Sequence, residues 1–134
     1  MTFTEAFAKY GATLRNPQWS MSALAVDGSL VVSLYENWFK KGEQPRTLTY
    51  SDRLSAWKGN EPGRNEFQRL LQDAKAQDAS VRIVLAHPHP SQAHLVGQVP
   101  DESVIKKTFS VREDWVGTIE YFDGDEYRLM VRQV

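Results

Sequence analysis

Residues 19–35 read WSMSALAVDGSLVVSLY. The pair Asp27-Gly28 stands between two runs rich in apolar and β-branched residues. An Asp-Gly step in that setting is the strongest short hairpin signal, because both residues accept the unusual φ angles of a tight turn. Two antiparallel strands are therefore expected here. Residues 115–134, WVGTIEYFDGDEYRLMVRQV, repeat the pattern around Asp123-Gly124. SVRIVLA (80–86) is short and β-branched, as a buried strand is. TLTYS (47–51), KTFSV (107–111) and HLVGQV (94–99) are further strand candidates.

Two segments have helical spacing instead. Thr2 and Glu5 form a capping box, and Phe3, Phe7, Tyr10 and Leu14 recur on one face before Pro17 stops the helix. In NEFQRLLQDAKAQ (65–77), Phe67, Leu70, Leu71 and Ala74 share a face. Asn65 is the expected N-cap, with Glu66 in the first turn and WKGNEPGRN (57–65) as the loop leading in. Together these elements predict one α+β domain spanning residues 1–134: a twisted, mainly antiparallel sheet with two packed helices.

At 134 residues the chain is long enough for its own core. It has no cysteine, which excludes disulfides, thiolate metal sites and cysteine nucleophiles. The longest apolar run, LVVSLY, is strand-sized, and the N-terminus lacks the pattern of a signal peptide. A cytoplasmic protein without a membrane anchor is the expectation. The net charge of −1 does not mark the whole molecule as a nucleic-acid binder. The charge is uneven, however. Residues 40–69 carry Lys40, Lys41, Arg46, Arg53, Lys58, Arg64 and Arg69 against Glu43, Asp52, Glu61 and Glu66, whereas residues 101–126 carry eight acids against three bases. Either the surface is polarised or the strands interleave and the asymmetry averages out.

All three histidines, His87, His89 and His94, lie in IVLAHPHPSQAHLVG (83–97). Zinc needs three or four ligands around one point. Pro88 and Pro90 exclude a central strand here and favour extended, polyproline-like backbone, in which residues two apart diverge. The expectation is a rigid loop that could serve recognition or supply one catalytic histidine, with no metal site. No phosphate-binding glycine loop and no nucleophile elbow is present, and no cofactor is implied.

The basic segment interleaves its cations with Trp38, Phe39, Tyr50 and Trp57. Aromatic rings beside basic groups suit stacking on bases with phosphate neutralisation. The same rings would equally serve to plug the end of the core. Trp57, Lys58, Arg64 and Asn65, with Trp38 and Arg53, are the candidate binding residues.

From Trp57 to Ala86 the chain reads W-x-G-x-x-x-G-R-N, then an aromatic, a helix with paired leucines, and V-x-I-V-L-A. This stretch resembles part of the N-terminal modified-cytosine-reading domains of McrA-like HNH restriction endonucleases. Those enzymes continue into a cysteine-bearing HNH nuclease domain that has no counterpart in this chain. The resemblance implies a restriction- or defence-related reader module without a cutter, or a small antagonist that mimics one, with Arg64 and Asn65 carried over. The leading expectation is a non-catalytic nucleic-acid-binding module that reads a flipped or modified base. The alternatives are a protein-interaction or inhibitor protein of a mobile element, using the acidic C-terminal segment, and a small hydrolase or transferase using a loop histidine.

Overall fold

A computed structural model describes residues 1–99 and 102–134. Asp101, at the head of the acidic segment, lies outside the described residues. The first helix, α1 (Phe3–Lys9), starts with the expected capping box: the Thr2 hydroxyl accepts from the Glu5 N–H at 3.1 Å, and the Glu5 carboxylate accepts from the Thr2 N–H at 3.0 Å. The strands are β1 (Ser22–Leu24), β2 (Leu30–Tyr35), β3 (Lys40–Lys41), β4 (Thr47–Arg53), β5 (Val81–Pro88), β6 (Lys107–Val111), β7 (Trp115–Phe122) and β8 (Glu126–Gln133), with α2 (Glu61–Gln77) between β4 and β5. They form one sheet in the order β1-β2-β5-β7-β8-β4-β3, and β6 pairs with β5 beyond the β7 contact.

Both Asp-Gly steps lie in tight turns between antiparallel strands. Between β1 and β2, Gly28 adopts a φ of +90°, its N–H donates to the Ala25 carbonyl, and Asp27 Oδ1 accepts from the Ser29 N–H. Between β7 and β8, Gly124 has a φ of +102°, and Asp123 Oδ1 accepts from the N–H groups of Asp125 and Glu126. One pairing is parallel: β2 runs alongside β5, with Leu30 opposite Val81 and Tyr35 opposite Ala86. That pairing requires a long crossover, which β3, β4 and α2 supply. The fold is thus α+β, with a mixed sheet of mostly antiparallel strands.

Alternation along β2 builds two cores. Leu30, Val32 and Leu34 face α2, where they meet Phe67, Leu70, Leu71 and Ala74 together with Tyr127 and Leu129 of β8. Val31 faces the other way, onto Phe7 and Ala6 of α1 with Val84. Burial on both faces explains why LVVSLY reads as a continuous apolar run.

Several local expectations need correction. Helix α2 begins at Glu61, four residues before Asn65, and its cap is Asn60, whose side chain accepts from the Gly63 N–H. Pro62 sits in the first turn, where a missing N–H costs nothing. Gly63 lies against the Trp19 carbonyl, so closely that a Cβ there would collide with it. What looked like a loop is therefore the helix start. Arg64 and Asn65 are helical, and Glu66 lies in the second turn and is buried. Strand β5 runs on through His87 and Pro88. Pro88 is tolerated because pairing with β2 ends at Ala86, so Pro88 faces only Lys107 of β6. HLVGQV is no strand: Pro90–Leu95 form a 3-10 helix. The very short β3 was not foreseen; its two lysines mark a sheet edge and discourage further pairing.

The two oppositely charged segments interleave in places. Arg53 of β4 pairs in register with Glu126 of β8. Among the described residues, no helix is long and apolar enough to cross a membrane.

Candidate functional site: an aromatic cavity with a half-buried carboxylate

The end of β2 delivers Tyr35 and then a 3-10 turn, Glu36–Trp38. That turn sets Trp38 over Tyr50 of β4, with ring centroids 6.5 Å apart and planes 27° from parallel. Residues two apart on a strand share a face, so Tyr50 and Asp52 point the same way. After β4 a second 3-10 turn, Leu54–Ala56, lays Trp57 flat on the buried Phe67 at 5.4 Å and 16°. Between these rings lies a cavity of about 560 Å³ lined by Tyr35, Trp38, Tyr50, Asp52 and Trp57. Val96 and Gly97 close one side. Gly97 has a φ of +78°, and a Cβ there would come within 2.9 Å of the Trp38 ring. Lys58, Glu102 and Lys107 add the charged lining.

Asp52 is the polar centre. Its Oδ2 accepts from Trp57 Nε1–H at 3.3 Å, and its Oδ1 accepts from the Arg53 N–H at 2.8 Å. Burial pushes its carboxyl above the ordinary value; those two donors pull the other way, and Glu102 and Asp125 push it further up. Across the cavity the Tyr35 hydroxyl donates to Glu102 Oε2 at 2.9 Å. The Lys107 ammonium donates to Tyr35 Oη at 3.0 Å and to the Glu102 carbonyl at 3.1 Å. Burial, then the Glu102 contact, raises the Tyr35 phenol, so it stays a neutral donor.

Of the residues singled out in the sequence, Trp38, Tyr50, Trp57 and Lys58 line this cavity. Arg64 stands behind it: half-buried, its Nη1 donates to the Trp57 carbonyl at 3.4 Å and braces the loop. Arg53 contributes its backbone N–H to Asp52, while its side chain is exposed and outside the lining. Asn65 is exposed on α2 and also outside it. Sequence reasoning missed Asp52, Tyr35 and Lys107 as members of the site. Alternation in TLTYSDR was the available signal for Asp52, since it places that carboxylate two residues from Tyr50.

The histidine segment reaches the cavity through Val96 and Gly97 rather than through a ring. His87 Nδ1 pairs with the Glu36 carboxylate and its Nε2 with the Ser110 hydroxyl. His89 caps the following 3-10 helix through Ser91, and His94 is exposed. Among the described residues, no group of three or more His, Asp or Glu side chains is placed to hold a metal ion. Added zinc should therefore leave the melting temperature unchanged. Zinc at one hundred times its Kd would stabilise a true site by about 2.7 kcal/mol. A shift of that size, lost in His87→Ala, would show that a site forms. The Glu36–His87–Ser110 chain has the order of a carboxylate–histidine–hydroxyl relay. None of the three lines the cavity, and Ser110 sits within the β6 ladder opposite Leu85.

No protein-family model, curated protein or solved structure matches the chain.

Proposed function

We propose that this protein is a small non-catalytic nucleic-acid-binding module that takes an extruded base into the cavity. The observation that carries this is four aromatic walls around the half-buried Asp52 carboxylate, with Glu102 and the cations Lys58 and Lys107 also in the lining. Flat rings stack on any base, a fixed polar group reads its edge, and cations meet the flanking phosphates. The resemblance of residues 57–86 to base-reading domains points to the same class of ligand without fixing which base, and Trp57, which opens that stretch, lies in the cavity wall.

Fluorescence anisotropy with short single-stranded, duplex and methylated duplex oligonucleotides at two salt concentrations tests the proposal. Binding should weaken with salt, and Lys58→Ala should lower the slope by about 0.7–0.9, one phosphate contact. No binding to any of these at low salt, by a folded protein, would reject the proposal. It would move the protein-interaction alternative, carried by the acids of residues 102–126, to the front. The hydrolase alternative is supported by the Glu36–His87–Ser110 chain and ranks behind both, because none of those three residues lines the aromatic cavity.

A further inference from the structure

We infer that the base selected by the cavity is guanine, recognised by Asp52 through two adjacent N–H donors on one edge of the ring. This rests on the cavity being a base site. A carboxylate offers about four acceptor positions, two on each oxygen. One position on Oδ1 is taken by the Arg53 N–H and one on Oδ2 by Trp57 Nε1–H. Those two bonds anchor both oxygens and leave one acceptor position on each. The matching ligand edge has two parallel donors, the mirror of the guanidinium fork that carboxylates bind bidentately. Guanine presents such an edge in N1–H and the N2 amine. Cytosine and adenine place one amine beside a bare ring nitrogen, whose lone pair would oppose the second oxygen. Thymine and uracil flank their single ring N–H with carbonyls.

The stacking walls do not discriminate, since every base has a π-face. Selection therefore falls to the polar lining, in which the Trp57 indole anchors Asp52 and the Tyr35 hydroxyl already engages Glu102. A half-buried carboxylate facing a lone pair is penalised more heavily than an ideal contact is rewarded. Trp57 is on this view a positioning residue as well as a wall: its indole N–H holds the oxygen that would take a guanine donor.

The experiment compares oligothymidylates carrying one central guanine, hypoxanthine, adenine, cytosine or 5-methylcytosine, by anisotropy. GMP, AMP, CMP and UMP are titrated alongside. Guanine should bind tightest. Hypoxanthine, which lacks only the N2 amine, should be weaker by about ten-fold, the loss of one hydrogen bond to a charged group. Asp52→Asn should remove most of that difference; the guanine-to-hypoxanthine comparison in the native protein stands even if the variant does not fold. Equal affinities, or cytosine or 5-methylcytosine ahead of guanine, would overturn the guanine assignment and leave the base-binding proposal intact. Selective GMP binding with no oligonucleotide binding would uphold the guanine assignment and reject the nucleic-acid proposal. No binding of any oligonucleotide or nucleotide would overturn both.

Discussion

Phe67→Ala will lower the unfolding free energy by about 3–5 kcal/mol, the usual cost of emptying a buried phenylalanine site. Phe67 is fully buried. Its ring meets Tyr127 edge-on at 5.4 Å and 87°, and Trp57 lies flat on it at 5.4 Å and 16°. The residue thus joins α2 to β8 and also forms the floor beneath one cavity wall. Its loss should therefore act twice, first on stability and then on the order of Trp57. Urea unfolding gives the first effect, and ligand affinity in fully native buffer gives the second. Phe67→Leu fills more of the space and should recover much of the stability while still removing the flat support. A cost below about 1 kcal/mol for Phe67→Ala would mean that the α2–sheet contact relaxes in a way the packing does not suggest.

Trp57→Ala will weaken oligonucleotide binding by about 1–3 kcal/mol, the typical worth of a stacked base. That corresponds to roughly 5- to 150-fold in Kd. The half-buried indole contributes both a flat wall and the N–H that Asp52 Oδ2 accepts. Trp57→Phe separates these contributions: it keeps a ring on Phe67 and deletes the N–H. It should recover most of the stacking affinity but discriminate less between bases, because Asp52 loses one of its two anchors. Anisotropy on both variants, with thermal melts to show they are folded, provides the measurement. Unchanged affinity in Trp57→Ala would place the ligand elsewhere on the surface, with Lys40 and Lys41 of β3 as the next candidates.

Much of the fold was legible because local chemistry and tertiary context agree. The Thr2–Glu5 box, the two Asp-Gly turns and the strands at 107–111 and 115–133 are local patterns that the packing leaves undisturbed. The start of α2 was misread because Pro62 and Gly63 look like helix breakers. Pro62 sits in the one turn that tolerates it, and Gly63 is required by the Trp19 carbonyl, more than forty residues earlier in the chain. His87 and Pro88 were misread in the same way: only the point at which β2 stops pairing shows that a proline fits there. Trp38, Trp57 and Lys58 of the cavity were visible as aromatics among cations. Asp52 was hidden because an isolated acid in a strand resembles any solvated carboxylate. Tyr35 and Lys107 are 72 residues apart and meet through the pairing of β2, β5 and β6, which no local pattern encodes.

The chain has four tryptophans, so an ¹⁵N-labelled sample should give four indole Nε1–H resonances, for Trp19, Trp38, Trp57 and Trp115. Titration with a short guanine-containing single strand should shift or broaden the Trp38 and Trp57 signals, which come from the cavity walls. It should leave Trp115, in the buried core, and Trp19, outside the lining, nearly unmoved. Perturbation of Trp19 or Trp115 alone, or no perturbation of Trp38 and Trp57 at a saturating strand concentration, would contradict a base seated in this cavity.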